Sequence, residues 1–267
     1  MICARLVDPD DSVDFPGNEA EVLGRPLAAY PLLAAKGSEQ ARRLYAQTTS
    51  QPVRRIAVQL GAIIIDPPPA VEDGPRATDT ARVLSGYRQI VDDLKAEKGE
   101  LELLVLLFAN TGAVNTSVID AGVRALLDDA NLDSAATVSP YDRWNPRRAF
   151  RESADGRLIP YAECLPDAGT PWFPDWGAAV LRPRVLDALK PESAELSWLG
   201  EKILPLKQVG GGPVDYSWQV PKMEYWLKKQ GVRDSPRPEP IPKLAPAPKP
   251  DRRPANAGEL LAAVDRA

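Results

Sequence analysis

Residues 102–108, ELLVLLF, form a run that is apolar at every position after the first. A half-buried strand alternates apolar and polar residues, and an amphipathic helix repeats every three or four. An unbroken run of this length is therefore the mark of a central strand covered on both faces. The covering layers have to be helices, and the chain supplies them. Residues 78–94 place Val83, Leu84, Tyr87, Ile90, Val91 and Leu94 on one helical face. After the central run, Thr116 or Ser117 is expected to cap a helix whose apolar face is Val118, Ile119, Val123, Leu126 and Leu127. Short strands are expected at 1–5, 62–65, 134–138 and 178–181, and further helices at 26–35, 51–60 and 185–189. Gly61 stops the second of these helices. Residues 149–161 read as a hairpin turning at Ala154-Asp155-Gly156. Val220, Met223, Trp226 and Leu227 give a last helix its buried stripe. Strands alternating with helices predict an α/β fold with a mainly parallel sheet.

Past residue 231 the composition changes. Between 235 and 254 proline recurs every second or third position among charged residues, and no core can form there. The expected organisation is a body at 1–231, a proline-rich linker at 232–254 and a short terminal helix or disordered tail at 255–267. Residues 235–267 are a candidate docking segment for a protein partner.

A net charge of −4 argues against nucleic-acid binding through a basic face. The longest apolar runs are too short to span a bilayer, and the first residues carry no signal-peptide pattern, so the expected location is cytoplasmic. Two distant cysteines without a CxxC are read as reduced rather than bridged. The 267 residues contain no histidine. Ser-His-Asp and Cys-His catalysis and His-ligated zinc are thereby removed. Phosphoryl and nucleotidyl transfer fit what remains, because they rest on positioning and charge neutralisation by Lys, Arg, carboxylates and a metal.

Several segments carry a resemblance to a known family. FPGN followed by LGRPLAAY (15–18 and 23–30) resembles the PGKN…GKPL stretch of the acylneuraminate (CMP-sugar) cytidylyltransferases. RATDTA (76–81) is similar to that family's ATDTA segment. QTTSQPVRRIAVQLGA (47–62), LLVLLFANTGAVNTSVIDAGVRAL (103–126), DSAATVSPYDRWNPRRAF (133–150), WFPDWGAAVLRPRVL (172–186) and LPLKQVGGGPVDYSWQVPKMEYWL (204–227) continue it in order. The resemblance implies a Rossmann-like three-layer nucleotidyltransferase domain that binds CTP across its carboxyl-end crevice. It further implies transfer of CMP to an acidic keto sugar with release of pyrophosphate, Mg²⁺ as cofactor, and a homodimer formed through a hairpin, here 149–161.

By the same resemblance Arg5 and Lys207 are the catalytic cations, with Arg5 holding phosphates from the end of the first strand. Asn18, Asp79, Arg82 and Asn110 face the nucleotide. Tyr141, Arg147, Arg148 and Asp175 face the acidic sugar, and Asp215 with Ser217 holds the metal. Read without the family, Asp79 and Asp215 are equally suited to capping helices, and Arg147 and Arg148 to solvated surface.

The pattern also breaks. The family's ARGGSK phosphate loop is here ARLVDPDDSVD (4–14), with both glycines gone and four aspartates present. A carboxylate about 4 Å from a phosphate charge costs about 4 kcal/mol at an effective dielectric near 20. The lysine of PGKN is missing, and the second metal carboxylate is replaced by Ser217. Three readings stay open: an active cytidylyltransferase with a rebuilt loop, a catalytically inactive homologue acting as a binding or scaffold protein, and a proline-rich ligand segment as the working part.

Overall fold

The computed structural model describes residues 1–8, 14, 17–67, 79–141, 145–161 and 170–233. The chain divides into two units, Met1–Pro236 and Arg237–Ala267. The expected linker and terminal segment beyond 233 lie outside the described residues, as does Cys164. Cys3 is a free, buried thiol. Among the described residues no helix is long and apolar enough to cross a membrane.

The chain enters on β1 (Ile2–Val7), then pairs β2 (Glu21–Val22) with β3 (Arg25–Pro26) in a small hairpin. That hairpin holds residues 25 and 26 extended, so α1 (Ala29–Gly37) starts three residues later than the alanine-rich run predicts. β4 (Arg43–Gln47), α2 (Gln51–Gln59) and β5 (Ile63–Ile65) follow, α2 being capped by the Ser50 hydroxyl. α3 (Asp79–Ala96) and β6 (Leu103–Phe108) are where the periodicity puts them. Leu103 through Leu107 are all fully buried, as an unbroken apolar strand requires.

α4 (Thr116–Asp128) is capped by Asn115, whose side chain accepts from the Val118 N–H, and not by Thr116 or Ser117. β7 (Ser134–Pro140) precedes a solvent-facing hairpin of β8 (Phe150–Glu152) and β9 (Leu158–Pro160). β10 (Trp172–Leu181), α5 (Pro183–Asp187), β11 (Ile203–Lys207) and α6 (Val220–Lys229) complete the body. At the end of α6, Gly231 takes φ +83° and the Val232 N–H reaches back 3.0 Å to the Leu227 carbonyl.

Seven strands form one sheet in the order β11-β7-β10-β6-β1-β4-β5, parallel except for β10. Even-numbered residues of β1 join the apolar layer under α1, α2 and α4, while Cys3 and Val7 join the layer under α3 and α5. A third cluster packs Met223, Trp226 and Leu227 of α6 against Val22, Leu27 and Tyr30.

Successive strands run outward from β1 to β4 and β5, and α3 then carries the chain back to β6 on the other side of β1. Strand order thus reverses between β1 and β6. In open α/β sheets the crevice beyond the carboxyl ends of such a pair is the ligand-binding place.

Candidate functional site

β6 ends at Phe108, and Asn110 stands in the turn just past it, 8% exposed. Its amide Nδ2 donates 3.0 Å to Oδ1 of Asp215, and its carbonyl accepts from the Val214 N–H at 2.8 Å. Two residues 105 positions apart in sequence are thus joined at the carboxyl end of the central strand. The segment bearing Asp215 is fixed by Gln219, whose side-chain oxygen accepts from the backbone N–H groups of Asp215 (2.6 Å) and Tyr216 (2.9 Å).

Beside this pair lies a cavity of about 350 Å³ lined by Tyr141, Phe173, Pro174, Asp175, Trp176, Gly212, Pro213, Asp215, Gln219 and Lys222. Its wall on the β10 side is shaped by a bulge between Pro174 and Ala179, within which Trp176 adopts φ +59°. The Tyr141 hydroxyl donates to the Gly211 carbonyl. Lys222 Nζ donates to both the Tyr141 oxygen and the Gly211 carbonyl, each at 3.2 Å.

Three consecutive glycines allow this approach. A Cβ on Gly211 would come within 2.7 Å of Asp175 Oδ2, and Gly212 takes φ +137°. Asp175 itself is 1% exposed, and its carboxylate accepts from the Ser139 hydroxyl (2.6 Å), the Gly177 N–H (3.3 Å) and the Gln208 amide (3.2 and 3.3 Å). Of the residues expected to face the sugar, Tyr141 and Asp175 therefore line one cavity with Asp215, with Asp175 acting as its internal brace. Arg148 is exposed in a 3-10 turn before the hairpin. The side chains of Arg147 and Asp79 lie outside the described residues.

Arg5 is not at a strand end. β1 runs on to Val7, which leaves Arg5 mid-strand on the face covered by α3, fully buried. Its guanidinium donates to the Val83 and Arg82 carbonyls at 2.7 Å each and to Gln47 Oε1, while Nε finds no partner among the described residues. Burial pulls its pKa down to about 9, so it remains charged at neutral pH. The first residue of the following loop is Asp8, whose carboxylate accepts from the Asn18 amide and the Thr48 hydroxyl. Asn18 is buried.

Ser217 donates both its N–H and its hydroxyl, at 2.7 Å each, to Asp14. These bonds hold the Asp14 carboxyl below its ordinary pKa. Two of the loop's aspartates are thereby accommodated by protein donors, which answers part of the charge problem posed by the sequence. Lys207 ends the edge strand β11, exposed, with Nζ 4.8 Å over the Trp172 ring and outside the cavity wall. The backbone carbonyl of Arg82 accepts from Arg5.

A magnesium ion asks for oxygen ligands and keeps several waters. Among the described residues no three acidic, cysteine or histidine side chains gather in a way that could hold a metal. Asp215, half-buried at the cavity, suits a single-carboxylate site completed by water and phosphate oxygens; Ser217 gives its hydroxyl proton to Asp14, which leaves the oxygen lone pairs of Ser217 for a ligand.

Sequence reasoning missed Lys222, Gln208 and Gln219. Lys222 carried one signal: a cation in the first turn of a helix sits at the unfavourable end of the dipole, which calls for another reason to be there.

The helix-covered sheet with this strand order and a carboxyl-end cavity is a Rossmann-like three-layer α/β fold. The solved structure of CMP:2-keto-3-deoxy-manno-octonic acid synthetase complexed with CTP shares it, with a TM-score of 0.58 and 16% identity over 86% of this chain and 99% of that one. A 4-diphosphocytidyl-2C-methyl-D-erythritol synthase from Anaerococcus prevotii also matches, with a TM-score of 0.56 and 10% identity over 85% and 96% of the two chains. At these identities the likeness is one of fold. No family model matches the chain, and no curated protein matches it.

Proposed function

We propose that this chain is a cytidylyltransferase that transfers CMP from CTP to an acidic keto sugar and releases pyrophosphate. The observation that carries the reading is the Asn110–Asp215 bond, made at the strand-order reversal and next to the 350 Å³ cavity with Tyr141. The family resemblance of residues 1–231 and the likeness of fold to the CTP-complexed synthetase support it.

In the proposed reaction an acceptor hydroxyl oxygen bonds to the α-phosphorus of CTP. The α–β bridging bond breaks, pyrophosphate leaves, and the hydroxyl proton passes to solvent. Asp215 would hold magnesium, which supplies charge neutralisation for the triphosphate. Asn110 orients the Asp215 carboxylate by donating to one of its oxygens, and the apolar faces of Phe173 and Trp176 exclude water from the acceptor side. The proposed setting is a cytoplasmic homodimer joined through the β8–β9 hairpin. Phe150, Leu158 and Tyr161 there are 59%, 71% and 66% exposed, an apolar patch suited to a partner.

A second reading, a catalytically inactive homologue that binds or supports a partner, is favoured by the full burial of Arg5 under α3. Calorimetric titration of CTP with and without magnesium, followed by pyrophosphate release across a panel of keto acids, separates the two. Magnesium-dependent binding and turnover uphold transfer. Folded protein that binds no CTP selects the second reading.

A further inference from the structure

Lys222 is the one basic side chain among the described residues lining the cavity. It occupies the first turn of α6, where the positive end of the helix dipole disfavours a cation, so helix stability does not account for it. Its ammonium is instead held 3.2 Å from the Tyr141 oxygen and 3.2 Å from the Gly211 carbonyl, and 5.1 Å from the centre of the Tyr141 ring. It makes no salt bridge with a carboxylate among the described residues.

An ammonium carries three donors, of which two are used here. On this exposed residue the ammonium is thus positioned by two hydrogen bonds, is without an ion pair among the described residues, and keeps a donor for a ligand. Phe173, Pro174 and Trp176 form apolar walls of the same cavity, and a less polar wall strengthens any ion pair made against it. The cations first expected to meet an acidic ligand are elsewhere: Lys207 stacks on Trp172 at the sheet edge, and Arg148 is exposed ahead of the hairpin.

We propose that Lys222, braced by Tyr141, is the cation that recognises the carboxylate of the acceptor substrate and so sets preference for acidic over neutral sugars. The identity of the acceptor rests on the cytidylyl-transfer reading above; the anion site itself does not. The neighbouring Asp215 carboxylate places a negative charge in the same cavity, which penalises a ligand carboxylate anywhere except at the lysine.

Ligand-observed NMR with 2-keto-3-deoxy-manno-octonic acid, N-acetylneuraminic acid and pyruvate, each beside its methyl ester, tests this on the full chain. Wild type is expected to bind at least one acid about 10-fold more tightly than its ester. Lys222→Gln is expected to erase that preference, Lys222→Arg to retain part of it, and Tyr141→Phe to weaken it by loosening the brace. Affinity for CTP, measured by calorimetry on the same samples, is expected to change by less than about twofold. Equal binding of acid and ester by wild type, an unchanged preference in folded Lys222→Gln, or no acid bound at all overturns the proposal. So does a Lys222→Gln protein that loses CTP affinity alone, since the lysine would then serve the triphosphate. Wild type that binds no CTP yet shows Lys222-dependent preference for an acid ends the cytidylyl-transfer reading and upholds this one.

Discussion

Alanine is the best helix former and glycine among the worst, so Gly86→Ala in the middle of α3 would ordinarily stabilise the protein by about 1 kcal/mol. Here the opposite is expected. A Cβ at position 86 would lie 2.2 Å from Cζ, 2.4 Å from Nε and 2.5 Å from Nη2 of Arg5, far inside contact distance. The guanidinium is fully buried between β1 and α3, so it has nowhere open to move. Displacing it loosens its bonds to the Val83 and Arg82 carbonyls and to Gln47. Hydrogen bonds from a charged donor contribute about 1.5–3 kcal/mol each, and overpacking costs about 1–3 kcal/mol. Weakening two such bonds and adding the clash outweighs the helix gain, for a net loss of about 3 kcal/mol. That corresponds to a fall in Tm of about 6–12 °C for a body of this size. Urea unfolding of Gly86→Ala, Arg5→Met and the double variant measures it. Methionine is flexible and carries no charge, so the double variant should recover much of the loss and yield a coupling energy of at least about 1 kcal/mol. A Gly86→Ala protein as stable as wild type, or one whose loss adds to that of Arg5→Met without coupling, refutes the reasoning.

Other expectations are more local. Asp215→Asn keeps an acceptor for Asn110 and should fold normally, while magnesium-dependent pyrophosphate release falls by at least about 100-fold; an unaffected rate in this variant removes Asp215 from the site. Asp14, held below its ordinary value of 3.8 by the Ser217 N–H and hydroxyl, contributes its stabilisation above that pH and loses it as pH falls through its lowered pKa. A carboxyl chemical-shift titration should give a midpoint below 3.8 that returns toward the ordinary value in Ser217→Ala. Tyr45 and Tyr87 are both raised above the usual 10.0, first by burial and then by bonds to Asp93 and Asp187. Their stabilisation is intact below pH 10.0 and is lost as pH rises beyond it. Tyr45→Phe should cost about 1 kcal/mol at neutral pH and flatten the alkaline loss in a denaturation series.

Residues with strong local periodicity told the truth about the fold. The unbroken run of β6, the 3.6-residue stripe of α3 and Ile119, Val123 and Leu126 of α4 were readable because each records, within a few residues, which sides of an element are buried; Leu127, expected on the same α4 face, is 42% exposed. β4 was missed because RLYAQ mixes a charged and a polar end into five residues, its burial on both faces being supplied by α2 and α3. β11 was missed because Pro205 interrupts it, which an edge strand tolerates. β10 showed only its inner half, since the bulge at Trp176 breaks the pattern of its outer half.

Sites fared differently from strands. Arg5 was placed at a strand end from a motif match, but alternation along a strand that continues to Val7 turns it under α3. By itself the sequence determined the α/β layering, the covered central strand and the proline-rich change of composition, because burial and chain stiffness are written into local residue order. Only the tertiary structure decided that Asn110 meets Asp215, that Ser217 holds Asp14 and that Lys222 faces the cavity on Tyr141. Those contacts join residues 105, 203 and 81 positions apart. Polar partners at such separations are set by sheet register and by the left-handed turns of the glycine loop, and no stretch of local sequence encodes either.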